Sequence, residues 1–506
     1  MHNFKKKQLV EMIATLERAN DSIENGKVKI VEEVTDILTL CQQFAIVVGN
    51  DIEKRESATT QPIVTLLEEY CEQIYQLSLK TAEKSFCKKL TKKIRGTLSR
   101  IKSGIQYDLP QEKVDVVFLP YKASMWDSLE SIWIAAKNDH RCNAVVIPIP
   151  YYGKNPDGSF GEIHYEGNEF PPEVPIVPWQ EYNMQIHLPE VVFIHNPYDD
   201  NNYVTSVHPD YYAKNLKPIC GMLCYVPYFV TEDNVNFINT GKDSMCATDG
   251  VLYSDYVFVQ SENVKIAYIN AICKIEKELG YSNLFGDLNK KIISLGSPKF
   301  DKVINSKKDD YEIPDSWIEQ IANKQIIMLN TTINAFLYHK EKYLDKLCKI
   351  LSFFKERNDV ILWWRPHPLL LSTFESMRPQ LAQEYKSIVE VYRTDNYGIY
   401  DDTTDLNRAI AWCDRYYGDR SSVACLYGVT GRPVLISIIN QRKRNSLSVN
   451  NWRTGDIEPN DLMDWIEGKE KWKLEMTFKD KFDSQFLDGN SGKRIFEFCI
   501  RKGQFI

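Results

Sequence analysis

The chain has 506 residues, 43% of them hydrophobic and 12% aromatic, with a formal net charge of −7. That length suits about three or four domains, and the apolar content excludes a disordered chain. The acidic balance excludes a general nucleic-acid binder, which carries a basic excess. No stretch has the roughly 18 uncharged apolar residues that span a bilayer, and Met1-His2-Asn3-Phe4-Lys5-Lys6-Lys7 leads into no signal-peptide core. A cytoplasmic protein is expected, with peripheral contact at the inner face of the plasma membrane left open. Twelve cysteines are scattered with no C-x-x-C pair, which fits packing rather than a zinc site. Cys220 and Cys224 are the closest pair, at a spacing that would meet on a helix.

Residues 1–105 read as helices. Leu9, Met12, Ile13, Leu16 and Ile23 recur at helical spacing, and residues 31–45 and 63–77 repeat the pattern. Lys84, Lys88, Lys89, Lys92, Lys93, Arg95, Arg100 and Lys102 form a basic run. It reads either as a solvated helix face or as a contact with an acidic polymer, an anionic bilayer or a second protomer. The segment is expected to serve docking or homo-oligomerisation and holds no catalytic constellation.

From Lys113 the texture becomes α/β. Residues 114–119 have the continuous apolar character of a buried parallel strand. A loop carrying Ser124 and Asp127 follows, then a helix and a second strand near residue 145. Residues 150–190 have loop composition, too long for a plain connector and suited to part of an acceptor site. Strands are expected near residues 192, 222, 257 and 293, which closes a first Rossmann-like domain over 106–300. A second domain, 301–506, is expected with strands near 326, 360, 388, 415 and 434 and a last amphipathic helix grouped with it. The fold class is therefore α/β, two Rossmann-like domains facing a cleft behind an α-helical region. No fixed-period repeat occurs.

Three polar stretches converge on the second domain. Gly296-Ser297-Pro298 enters it, Arg365-Pro366-His367-Pro368 leaves a strand, and Asp419-Arg420-Ser421-Ser422 opens a helix. They offer a cation, an imidazole, hydroxyls and free N–H groups, which suits a diphosphate. Each also has a plainer reading: a capped helix, a surface ion pair, a rigid turn. A Walker loop, a strand-linked GxGxxG and a G-x-S-x-G elbow are all missing, which disfavours P-loop kinases, NAD enzymes and α/β-hydrolases.

These motifs as a set resemble the CDP-glycerol:poly(glycerophosphate) glycerophosphotransferase family, the teichoic-acid primases and polymerases of GT-B-like fold. The residues that match are Gly296-Ser297-Pro298-Lys299-Phe300-Asp301, Arg365-Pro366-His367-Pro368, and Asp419-Arg420-Ser421-Ser422 with Gly431-Arg432-Pro433 downstream. The resemblance implies transfer of glycerol phosphate, or a related polyol phosphate, from a CDP-linked donor to a hydroxyl of a cell-wall or capsular glycan or lipid-linked glycan. It implies no metal and no further cofactor. Ser421 and Ser422 would hold the pyrophosphate with Asp419 beside them, Arg365 and His367 would meet phosphate charge, and Gly296 and Ser297 would line the donor site. The family's W-H-G-T-P element, whose His is taken as the base, is replaced by Gly221-Met222-Leu223-Cys224-Tyr225-Val226-Pro227-Tyr228. Asp127 is the substitute base expected here, with His208 and His195 as alternatives. A GT-B transferase with a nucleotide-sugar donor and a degenerate scaffold for surface-polymer assembly are the competing readings.

Overall fold

The computed structural model describes residues 3–25, 31–53, 60–79, 84–109, 112–231, 233, 243–437, 454–455, 459–469 and 484–503. Four helices come first: α1 (Asn3–Glu24), α2 (Val31–Glu53), α3 (Gln61–Leu79) and α4 (Lys84–Ser103). Each turns one apolar stripe inward, and Leu9, Ile13, Leu38, Ala45, Ile63, Tyr70, Ile94 and Leu98 are buried together. Much of the basic run on α4 is spent inside this bundle. Lys102 pairs with Glu17, Arg95 with Asp21 and Glu24, and Lys93 with Glu69. Lys88, Lys89 and Lys92 remain exposed.

Fifteen strands are described: β1 (Val114–Leu119), β2 (Cys142–Val146), β3 (Tyr151–Lys154), β4 (Phe160–His164), β5 (Val191–Ile194), β6 (Thr205–Val207), β7 (Met222–Tyr225), β8 (Tyr256–Val259), β9 (Ile292–Ser294), β10 (Gln325–Thr331), β11 (Val360–Pro366), β12 (Ile399–Tyr400), β13 (Arg415–Gly418), β14 (Val434–Ser437) and β15 (Thr454–Gly455). Twelve of them form two six-stranded sheets, in the orders β2-β1-β5-β7-β8-β9 and β12-β11-β10-β13-β14-β15. Every pairing in both sheets is parallel. β1 and β11 are buried along their whole length, as a sheet covered on both faces requires. Ile438 and Ile439, which the sequence extends into β14, lie outside the described residues.

Three sequence expectations need correction. Residues 388–392, read as a strand, lie in the helix Pro379–Asp395. Leu381, Ala382, Tyr385 and Tyr392 fall on one buried face at helical spacing, and that period overrides the local β-branched composition. Asn396, left-handed at φ 52°, ends the helix, and the third strand of this sheet is β12 instead.

Residues 150–190 are not only loop. β3, β4 and β6 make a small antiparallel sheet beyond the carboxyl ends of β1, β2 and β5, with a turn at Asn155-Pro156-Asp157-Gly158.

The last helix, Ser491–Gly503, packs on the first α/β unit rather than the second. Ile495, Phe496, Cys499 and Ile500 join the core of the first sheet, where Cys499 Sγ lies 3.7 Å from Cys224 Sγ. Cys224 therefore sits on β7, not on a helix with Cys220. The returning chain is tied down by Asp301. Its carboxylate accepts from Ser491 N at 2.9 Å, Gly492 N at 2.7 Å and Ser131 Oγ at 2.8 Å. Gly296, at φ 94°, makes the outgoing crossing, where a Cβ would strike Ser491 Oγ.

Candidate functional site

Parallel sheets bind ligands beyond the carboxyl ends of their strands, where the strand order reverses. In the second sheet that switch point lies between β10 and β13. Gly418 lets the two strands meet there, since a Cβ at this position would lie 2.3 Å from Asn330 O.

The polar end of β10 organises the site. Asn330 Oδ1 accepts from Ser421 Oγ at 3.0 Å and Tyr416 Oη at 3.2 Å, while Asn330 Nδ2 donates to Arg365 O at 3.1 Å. Thr331 O accepts from His367 N at 2.9 Å. Thr332 donates to Asp419 Oδ2 through its N at 2.7 Å and its Oγ1 at 3.1 Å. Thus Asn330, Thr331 and Thr332 bind two of the three stretches that the sequence singled out, 365–367 and 419–421. Tyr343 Oη also donates to Asp419, at 2.5 Å. Burial lifts the Asp419 pKa to about 6, against the pull of Tyr343 and Thr332.

Ser421 caps the helix Ser422–Gly428 by accepting from Ala424 N. Ser422 is exposed at the helix start. His367 is exposed, and its Nδ1 accepts from Leu369 N at 3.2 Å. The neutral ring therefore carries its proton on Nε2, as a donor. Desolvation by the surrounding protein lowers its pKa even though part of the ring is exposed, which favours that neutral form.

Arg365 is committed elsewhere. Its guanidinium donates to Asp401 Oδ2 at 2.9 Å and Thr403 O at 2.6 Å. Asp401 is fully buried and also accepts from Trp363 Nε1, Thr403 and Arg408. Arg365 thus holds the 401–405 loop at the cleft wall rather than offering a free cation, a correction to its phosphate role. Gly296 and Ser297 do not join this cluster: they form the crossing between units, with Ser297 buried at the start of the helix Pro298–Asn305.

A cleft of about 700 Å³ lies between the units, lined by Asp127, Glu130, Lys299, Lys302, Asp405 and Asn407 among others. Asp127 Oδ1 bonds Lys299 Nζ, and Asp127 Oδ2 accepts from Asn407 Nδ2 at 3.4 Å. Asp127 thereby joins the first unit to the second. Lys302 and Glu130 make a parallel pair at 3.0 Å.

The two histidine alternatives to Asp127 lie elsewhere. His195 is completely buried at the first sheet's own switch point, between β1 and β5. Its Nε2 accepts from Tyr121 N at 3.1 Å, and its Nδ1 lies 2.9 Å from Ser128 Oγ. Burial, with Lys299 adding to it, pushes its pKa down to about 3, which unsuits it as a base at neutral pH. His208 sits on the three-stranded sheet, its ring 5.9 Å from that of Tyr152 and 5.5 Å from that of Trp179. It is not among the residues lining the cleft.

Sequence reasoning missed Asn330, Thr332, Tyr343, Asp401 and Lys299. The polar ending Asn330-Thr331-Thr332 on an otherwise apolar strand was the available signal. Among the described residues, no group of three or more His, Cys, Asp or Glu is placed to hold a metal ion.

The architecture is GT-B-like: two doubly wound units with a cleft between them and a last helix that returns to the first. No family model matches the sequence, and no curated protein matches it. Solved structures do resemble it. One is a UDP-N-acetylglucosamine 2-epimerase, at 10% identity and a TM-score of 0.47, covering 78% of this chain and 98% of that chain. Another is the wall teichoic acid polymerase TagF, at 15% identity and a TM-score of 0.46, covering 82% of this chain and 97% of that chain. A third is the UDP-GlcNAc 2-epimerase from Neisseria meningitidis bound to UDP-GlcNAc, at 10% identity and a TM-score of 0.44, covering 77% of this chain and 100% of that chain. None of these likenesses bears on substrate.

Proposed function

We propose that the chain is a GT-B-like transferase that takes a nucleotide-linked donor at the β10–β13 switch point and passes polyol phosphate to a glycan hydroxyl. The observation that carries this reading is the polar end of β10, which binds the 365–367 and 419–421 stretches into one edge. In the proposed complex, Ser422 and the helix start behind it face the pyrophosphate, and the His367 Nε2–H donates to it. The acceptor oxygen attacks the phosphorus that bears the polyol. The bond from that phosphorus to CMP breaks, CMP leaves, and the acceptor proton passes to the Asp127 carboxylate across the cleft.

The test is a calorimetric panel of CDP-glycerol, CDP-ribitol, CMP-sialic acid and UDP-sugars. CDP-glycerol or CDP-ribitol should bind, and Thr332→Val should weaken that binding about tenfold. Preference for a UDP-sugar would overturn the polyol-phosphate reading in favour of sugar transfer. Binding by none of them would overturn the transferase reading itself. Asp127→Asn should abolish turnover while leaving donor affinity intact; unchanged turnover would remove Asp127 from the mechanism.

A further inference from the structure

A second cavity, of about 590 Å³, lies at the amino ends of β7 and β8. There α1 of the helical bundle docks on the first sheet, and Phe4 packs beside Gly221. Four lysines line the cavity: Lys7 from α1, Lys290 and Lys291 from the helix Leu288–Lys291, and Lys502 from the last helix.

The two carboxylates lining it are already used. Asp255 bonds Lys217 through Oδ1 and accepts from Leu223 N at 2.8 Å through Oδ2. Asp287 pairs with Lys290 at 3.0 Å and accepts from Asn289 N at 3.2 Å. Lys291 is 9% exposed, and its ammonium donates to Leu252 O at 2.5 Å. Among the described residues no carboxylate pairs with it. Two of its three donors are thus unspent, on a buried charge whose nearby carboxylate, Asp255, is already bonded to Lys217 and Leu223 N. That arrangement is costly unless something anionic occupies the space beside it. Burial accordingly lowers the Lys291 pKa to about 8, with Lys217 lowering it and Asp255 raising it.

We propose that this cavity is a phosphate-anion site, in which a phosphate or diphosphate group is the counterion of Lys291 and is flanked by Lys7 and Lys502. The site is independent of the donor site, since it opens at the opposite end of the first sheet. Its phosphate would come from a soluble ligand or from the headgroup of an anionic phospholipid.

Titration of the full chain with inorganic pyrophosphate tests it. Lys291→Met should weaken binding about tenfold, and the Lys7→Ala/Lys502→Ala double variant should do so severalfold. The double variant changes only lysines outside the core, so it separates loss of binding from loss of fold. Pyrophosphate binding at the donor site is a separate event, the one that Thr332→Val should weaken, while the Lys291-dependent event should remain. At pH 8, heats measured in buffers of different ionisation enthalpy should show net proton uptake shifted upward in the parent chain relative to Lys291→Met, the ligand's own proton release being common to both. Flotation with phosphatidylglycerol vesicles, lost in the same variants, would assign the phosphate to a headgroup; pyrophosphate binding without flotation would assign it to a soluble ligand. Absence of binding, binding that survives both lysine variants, or binding lost only in Thr332→Val would overturn the site.

Discussion

The two α/β units solve one topological problem in opposite ways. Each has a switch point, between β1 and β5 in the first unit and between β10 and β13 in the second. In the first, the protein's own side chains fill it: His195 accepts from Tyr121 N and packs edge-on against the Tyr121 and Tyr228 rings. In the second, the strand ends carry hydroxyls and amides, and Ser422 and His367 are exposed. The first crevice is sealed by its own side chains, and the second is open and polar. The two parallel sheets, which differ in strand order, thus differ also in what occupies the strand ends at the switch point.

This contrast can be broken experimentally, from large effects to small. Arg365→Met leaves the fully buried Asp401 short of its main partner and should cost about 4 kcal/mol in denaturant unfolding. A loss of donor affinity without that destabilisation would return Arg365 to a phosphate role. His195→Ala should cost about 3 kcal/mol, because Tyr121 N loses its acceptor and a cavity opens. Donor affinity should not change; if it does, the first switch point is not merely sealed.

Asp419 gives a pH signature. Its pKa is raised to about 6 in the fold, so its stabilising contribution is fully present below about pH 4, the ordinary carboxylate range, and is lost as pH rises through 6. In the proposed complex the same ionisation would place a negative charge beside the donor's phosphates. Donor affinity should therefore fall about fivefold between pH 5 and pH 7, and Asp419→Asn should flatten that profile. A profile with the same slope in the variant would remove Asp419 from the donor site. The smallest expected effect is at Ser422, whose Ala variant should bind donor about two- to threefold more weakly with an unchanged melting temperature.

Much of this division was legible in the sequence, but unevenly. Buried parallel strands announce themselves as apolar runs, which is why β1, β10 and β11 were placed from composition. The stretch 388–392 misled because a helix face rich in Ile, Val and Tyr looks locally like a strand; only the longer period reveals it. Asp419 and Ser421 stood out because acids and hydroxyls at a helix start are a local pattern. Arg365 was assigned the wrong partner because Asp401 lies 36 residues away and meets it only through the fold. Asn330 and Thr332 were hidden for the same reason. Their role depends on which strands become neighbours, and strand order is not written in any window of the chain.

The last helix carries a consequence for how the molecule is made. The core of the first sheet includes Ile495, Phe496, Cys499 and Ile500, and Cys499 meets Cys224 across 275 positions of sequence. On a growing chain, the second unit can assemble its sheet while the first still lacks part of its core. The unit synthesised earlier is thus completed later, with Asp301 fastening the final helix in place. The face beneath residues 495–500 stays exposed until that helix has been made and docks on it.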